Sequence, residues 1–375
     1  MNGFFWIYLF LFGLFAAYTV SKSEQRRTLL YAAGCGVLIL FFALQDASVS
    51  VDTAEYMLQY SLIPGMSLTD MLGHKFEIGY NLLCKLLSVL FEGDRVLLLA
   101  MSLLILVPFF IWFRRESDEP MMALMCFLAL GMYYNSMVYL RQFCAMAIMT
   151  FGYRYVRQRR LLPFLLTLLL AMSFHKSAAL LAVIYVFTAV PVNKWLLLGG
   201  ALGSAALGIL GKPIIRLVYR YIYSNYREDE FFYSMGGFNM LLVLWIFVLI
   251  VYWLMRDRLE EPKIKILFLM TLTAAVIQPV TFSYFFWCRI VLYFRVAMVM
   301  LVPELYATVF RRKENNVLLS LLAKKTPKLH GRLMDVYDKP WFRTTVQLAM
   351  FAVLFFWYVT ELDGTVYRMA PVYGS

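Results

Sequence analysis

Apolar residues come in long runs along this chain, separated by short polar links. Runs at 3–20, 29–45, 95–113, 120–136, 138–153, 161–174, 177–191, 195–211, 238–255, 264–282, 289–310 and 343–360 read as membrane crossings. A helix rising 1.5 Å per residue needs about 20 apolar residues to span the hydrocarbon layer. The pattern predicts an all-α polytopic membrane protein of about twelve transmembrane helices, in which residues 1–375 form a single transmembrane domain. One stretch, 76–91, is short and carries Glu77 and Lys85.

Charge decides how that stretch is read. Lys and Arg gather in cytoplasmic loops of membrane proteins. If 76–91 does not cross, Arg114 and Arg115, the cluster Arg154, Arg157, Arg159 and Arg160, and the basic stretch 311–342 all fall on the cytoplasmic side. If it did cross, the Arg154–Arg160 cluster would lie outside. The segment is therefore expected to be an interfacial or re-entrant helix in the first outer loop, 46–94, with a second outer loop at 212–237. The first run lacks a basic leader and is followed by Lys22, Arg26 and Arg27, so an uncleaved first span with its N-terminus outside is expected.

Composition agrees with the pattern. Hydrophobic residues make up 62% and charged residues 15% of the chain, against about half and a quarter in soluble domains. The net charge of +12 reads as positive-inside bias rather than a nucleic-acid surface, and the stretch 311–342 as a contact for anionic lipid headgroups. Five cysteines stand singly, with no pair or spacing suited to a metal.

Ionisable residues at the edge of a membrane domain need a partner or a task. In the first outer loop Asp52, Glu55 and Tyr56 have spacings that share one helix face. Glu77 stands among apolar residues in FEIGYNLL, either as a helix-terminal cap or as a functional carboxylate. Arg141 and Gln142 open a span near its outer end. His175 and Lys176 occupy a tight outer turn, SFHKSA. Arg289, Tyr293 and Arg295 enter the span 289–310, where two arginines fit a cavity that holds an anion. Arg216, Arg220 and Arg227 add to that field or lie on an amphipathic surface helix. Guanidinium, carboxylate and imidazole groups on one face suit a diphosphate-bearing lipid. Arg forks onto phosphate oxygens, and a carboxylate or imidazole takes a proton from an attacking hydroxyl.

The order of these pieces resembles the EpsG family of exopolysaccharide and capsule polymerases, related in role to the Wzy O-antigen polymerases. The resemblance rests on Asp52 and Tyr56, FEIGY at Phe76 to Tyr80, the Arg141-Gln142 pair followed by Ala145, FHKSA at Phe174 to Ala178, and Arg289 with Tyr293-Phe294. It implies a GT-C-like helical fold in the bacterial cytoplasmic (inner) membrane. It also implies glycosyl transfer between undecaprenyl-diphosphate-linked oligosaccharide repeat units at the outer face, with a flippase and a chain-length regulator of the same pathway as partners. The residues then expected to act are Asp52, Glu77 or His175 on the acceptor hydroxyl. Arg141, Gln142, Lys176, Arg289, Tyr293, Arg295 and Tyr56 are expected on the substrate. No cofactor is expected, although Asp52 and Glu77 leave a divalent ion open if they meet in space. A transporter or flippase of lipid-linked oligosaccharide is the alternative. It predicts inverted repeats and charges spread through the membrane depth, whereas these charges cluster at one face.

Overall fold

The computed structural model describes residues 3–46, 50–93, 95–222, 237–284, 287–310, 339 and 341–353, and all its regular structure among them is helical. In chain order the helices are α1 (Gly3–Val20), α2 (Glu24–Ala43), α3 (Val51–Leu62), α4 (Leu68–Gly73), α5 (Ile78–Leu90), α6 (Arg95–Glu116), α7 (Pro120–Ala129), α8 (Met132–Val138), α9 (Leu140–Arg157), α10 (Leu161–Phe174), α11 (Ile184–Phe187), α12 (Lys194–Ile222), α13 (Phe238–Leu254), α14 (Pro262–Ile277), α15 (Trp287–Arg295), α16 (Ala297–Phe310) and α17 (341–353). Short 3-10 segments lie at Ile63–Gly65, Lys176–Val183, Arg256–Arg258 and Gln278–Phe282. Contacts divide the chain into two compact units. One comprises Met1–Tyr153, Leu165–Ala179 and Leu319–Ser375, and the other Arg154–Phe164 and Leu180–Leu318, as far as their residues are described.

In the first unit α7 is the hub. All ten of its residues are buried, and it packs on α1, α2, α6 and α8. Phe109 of α6 gathers the rings of Phe113, Phe127 and Phe143 around itself. The expected straight crossing at 120–136 is instead a broken helix, with α7 and α8 bent by 61°. Gly131 at the break adopts φ 72°, a conformation that glycine reaches without strain. A second break at Tyr139 separates α8 from α9, and the carbonyl of Met137 there accepts bonds from Thr53 Oγ1 (3.3 Å) and Gln45 Nε2 (3.4 Å). These two side chains tie α3 and the end of α2 to the segment just ahead of Arg141.

The segment read as interfacial is α5, 13 residues long. That is about 20 Å, short of the roughly 30 Å hydrocarbon layer. Its buried face is Tyr80, Asn81, Cys84 and Leu87. Lys85 on the other side bonds the carbonyls of Pro64 (2.7 Å) and Met66 (3.3 Å).

In the second unit α14 is central and packs on α12, α13, α15 and α16. Gly200 and Gly211 let α12 approach Leu272 and Val280 closely, and Ser204 Oγ donates to the Ala275 carbonyl at 3.2 Å. Buried Arg258 joins Glu304 (3.0 Å) and Glu261 (2.9 Å), and Lys263 also reaches Glu304.

Exposed Leu162, Leu166, Leu169 and Leu170 on α10, and Trp195, Leu202 and Ile209 on α12, form apolar surfaces suited to lipid. Five helices are long and apolar enough to cross a membrane, six if α7 and α8 count as one span, with shorter apolar helices beside them. This is a multi-pass membrane protein, but its elements differ from twelve uniform spans. The expected span 177–191 opens as an eight-residue 3-10 segment before α11. The expected outer loop 212–237 begins as helix, because α12 continues through Pro213 to Ile222. Lys212 and Arg216 end the apolar run there without ending the helix. Arg227, residues 223–236, nearly all of the basic stretch 311–342 and the end of the last expected span lie outside the described residues.

Candidate functional site

Glu77 organises a cluster within the first unit. It is the residue preceding α5, yet its side chain makes no capping bond to its own helix. Instead Oε1 accepts from the backbone N–H of Lys176 at 3.0 Å. Lys176 is the first residue of the 3-10 segment that follows α10, so the carboxylate sits on the positive end of another helix. Oε2 accepts a short bond from Arg141 Nη1, and His175 Nδ1 stands 3.4 Å from Oε1. Three remote stretches of sequence thus meet on one carboxylate whose side chain is 8% exposed.

The neighbouring residues hold this arrangement. The Arg141 guanidinium lies 4.0 Å from the centre of the Phe76 ring and 5.5 Å from that of Tyr56, a cation–π contact. Phe76, Tyr56 and Tyr80 pack ring to ring at 5.6–5.8 Å. Buried Asn81 donates to the carbonyls of Phe76 (3.0 Å) and Met71 (3.1 Å), fixing the strand of chain that carries Phe76 and Glu77. Gly79 lies against the backbone of Ser173, where a Cβ would come within 2.7 Å of the carbonyl oxygen. Only glycine lets α5 approach the end of α10 this closely, so the Gly of FEIGY and the Ser ahead of FHKSA are one contact.

Electrostatics follow from the contacts. Burial raises the Glu77 pKa, but the adjacent His175 imidazole, the charge of Arg141 and the Lys176 amide outweigh it and push it down to about 2. Glu77 is therefore ionised throughout the physiological range and a poor proton acceptor. If His175 donates its Nδ1 proton to Glu77, Nε2 is left with the lone pair of a base.

The structure thus brings together Glu77, Arg141, His175, the Lys176 backbone and Tyr56. Gln142 is buried in α9 beside Arg141. Asp52 stands in the first turn of α3, one turn ahead of Tyr56. Glu55, on the same helix, pairs with Lys75 at 2.5 Å and accepts from Gln59. Arg289, Tyr293 and Arg295 belong to α15 of the second unit, where Tyr293 is fully buried. Phe76 is the site residue that sequence reasoning passed over, although it opens the FEIGY motif. Among the described residues no three His, Cys, Asp or Glu side chains gather as a metal site.

The model of the EpsG family matches residues 28–323, which include every member of this cluster. The chain belongs to the EpsG family. EpsG is a polysaccharide polymerase family, and the match takes in α15 as well as FEIGY, Arg141 and FHKSA, leaving out α1 and α17. No curated protein and no solved structure matches the chain.

Proposed function

We propose that this EpsG-family chain polymerises undecaprenyl-diphosphate-linked oligosaccharide repeat units by glycosyl transfer at the outer face of the cytoplasmic membrane. The observation that carries the reading is the convergence of Arg141, His175 and Lys176 on the buried carboxylate Glu77. In the proposed step an acceptor sugar hydroxyl attacks the anomeric carbon of the donor repeat unit, and the bond from that carbon to the diphosphate oxygen breaks. The hydroxyl proton passes to His175 Nε2. The departing diphosphate keeps the bonding electrons, and Arg141 and Lys176 meet its charge. Glu77 serves as the orienting carboxylate, the role its low pKa suits. Arg289 with Tyr293, spaced one turn apart on α15, is proposed as a phosphate-binding pair of the second unit.

The test is chain growth from purified lipid-linked repeat units. Arg141→Ala and His175→Ala should each abolish the ladder of longer products at normal protein levels. Full polymerisation by both variants would refute the assignment. The broken helix α7–α8 is also a feature of transporters. That second reading predicts a changed sidedness of single repeat units without any ladder.

A further inference from the structure

The first unit carries a second polar site at the end of α2 remote from Glu77. Tyr18 of α1, Glu24, Arg27, Thr28 and Tyr31 of α2, Arg114 of α6 and Pro120 of α7 line a cleft of about 180 Å³ open to solvent. We propose that this cleft binds the phosphate of an anionic membrane lipid headgroup. The proposal is independent of the glycosyl-transfer reading.

Position supports it first. α2 has 20 residues, about 30 Å, and beyond its far end Gln45 reaches the Met137 carbonyl near Arg141. The cleft and the Glu77 cluster are thus separated by about the thickness of a hydrocarbon layer. The cleft opens where α1, α2 and α6 have their ends, which the proposal places at the headgroup level of the opposite leaflet.

Its chemistry fits an anion. Arg27 and Arg114 line it with the one carboxylate of Glu24, and exposed Lys22, Arg26 and Arg115 neighbour these arginines in sequence. Glu119 stands outside the lining but close enough for its charge to act on Tyr18. Arg27 is held in advance: Nε donates to the Ser21 carbonyl at 3.0 Å and the guanidinium lies over the Tyr18 ring at 5.3 Å. Arg114 Nη2 reaches Thr28 Oγ1 at 3.5 Å. Glu24 is the lining carboxylate that an incoming anion displaces. Its contact to Arg27 is 3.5 Å with the carboxylate 80% exposed, loose enough for a phosphate to replace it. Tyr18 and Tyr31 supply the aromatic, amphipathic wall common at membrane interfaces. Tyr18, Glu24 and Arg27 precede the segment matched to the family, so two of the three charged lining residues lie outside what the family model describes.

Full-length protein in neutral detergent would be titrated with short-chain phosphatidylglycerol, with phosphatidylcholine and with inorganic phosphate, and bound lipid counted by native mass spectrometry. Phosphatidylglycerol should bind in preference to phosphatidylcholine. Arg27→Gln with Arg114→Gln should weaken it about thirtyfold, at about a tenfold step per 1.4 kcal/mol and about 1 kcal/mol per arginine. Glu24→Gln should strengthen it several-fold, a gain that a misfolded variant would not show. Three results would overturn the proposal: equal binding of the two lipids, affinity within twofold of the parent in the double variant, or displacement of the lipid by millimolar inorganic phosphate, which would make free phosphate the ligand.

Discussion

Replacing Glu77 by Gln removes one charge and little volume, and it tests whether the cluster is held as a unit. Gln keeps an oxygen for the Lys176 N–H but leaves Arg141, 15% exposed in its side chain, facing a neutral amide. Breaking a fully buried ion pair from one side costs about 3–5 kcal/mol. The residual exposure of Arg141 and its stacking on Phe76 bring the expected loss down to about 2–3 kcal/mol. Arg141→Met alone should cost a similar amount, because it strands the carboxylate. In Glu77→Gln/Arg141→Met neither charge remains, so the double variant should lose about 2 kcal/mol less than the sum, where independent sites add within about 0.5 kcal/mol. Denaturant titration in mixed micelles measures all four stabilities. The pH dependence supplies a second readout of the same charge. The folded-state pKa is lowered from 4.5 to about 2, so the stabilisation is complete above 4.5 and is lost as pH falls toward 2. Glu77→Gln should remove that slope. Additive single variants, or an unchanged acid slope, would refute the view of Glu77 as the anchor of the cluster.

Three further outcomes follow from the same geometry. His175→Gln should lower the turnover of chain growth by about 100-fold or more with KM little changed. Turnover within tenfold of the parent would assign the base elsewhere. Gly79→Ala should destabilise by about 1–3 kcal/mol, because the added Cβ meets the Ser173 carbonyl, which cannot rotate away. Gly13→Ala, with open space around it, should be neutral or stabilising in the same melting assay. Thr53→Val should cost about 0.5–1.5 kcal/mol by removing one of the two donors to the Met137 carbonyl, and should slow chain growth through the position of Arg141; unchanged stability and rate would break that link.

Much of this site is legible in the chain because its motifs are short and local. FEIGY reads as a helix start with a carboxylate, and FHKSA reads as a tight turn with an imidazole. Hydropathy places α1, α2, α6 and α9 within a few residues of their observed bounds. Helix breaks are another matter. The apolar run from Met121 to Met137 continues through Gly131, and hydropathy carries no record of a positive φ; the glycine ahead of Tyr-Tyr-Asn is the only local sign. In α12 the error runs the other way, since Lys212 and Arg216 lower hydropathy while the helix goes on. The role of Glu77 was also out of reach. A carboxylate that begins one helix looks like its cap, and only tertiary structure shows that its partners are Arg141, 64 residues on, and Lys176, 99 residues on.

A carboxylate beside the proposed diphosphate site needs a physical reason, because it would repel that substrate. At 5 Å and an effective dielectric constant near 20, like unit charges repel by about 3 kcal/mol. Arg141 at the same distance returns that amount, so the pair is close to neutral toward an arriving anion. Lys176 adds its backbone N–H, so the resting Glu77–Arg141 pair carries no net charge. Under the proposed step His175 takes up a proton as the diphosphate departs, and the cluster rises to one positive charge while the leaving group gains its negative one. Glu77 stabilises that imidazolium through Nδ1. The arrangement therefore binds the ground state modestly and favours the transition state more strongly, which is the condition for turnover rather than tight substrate capture.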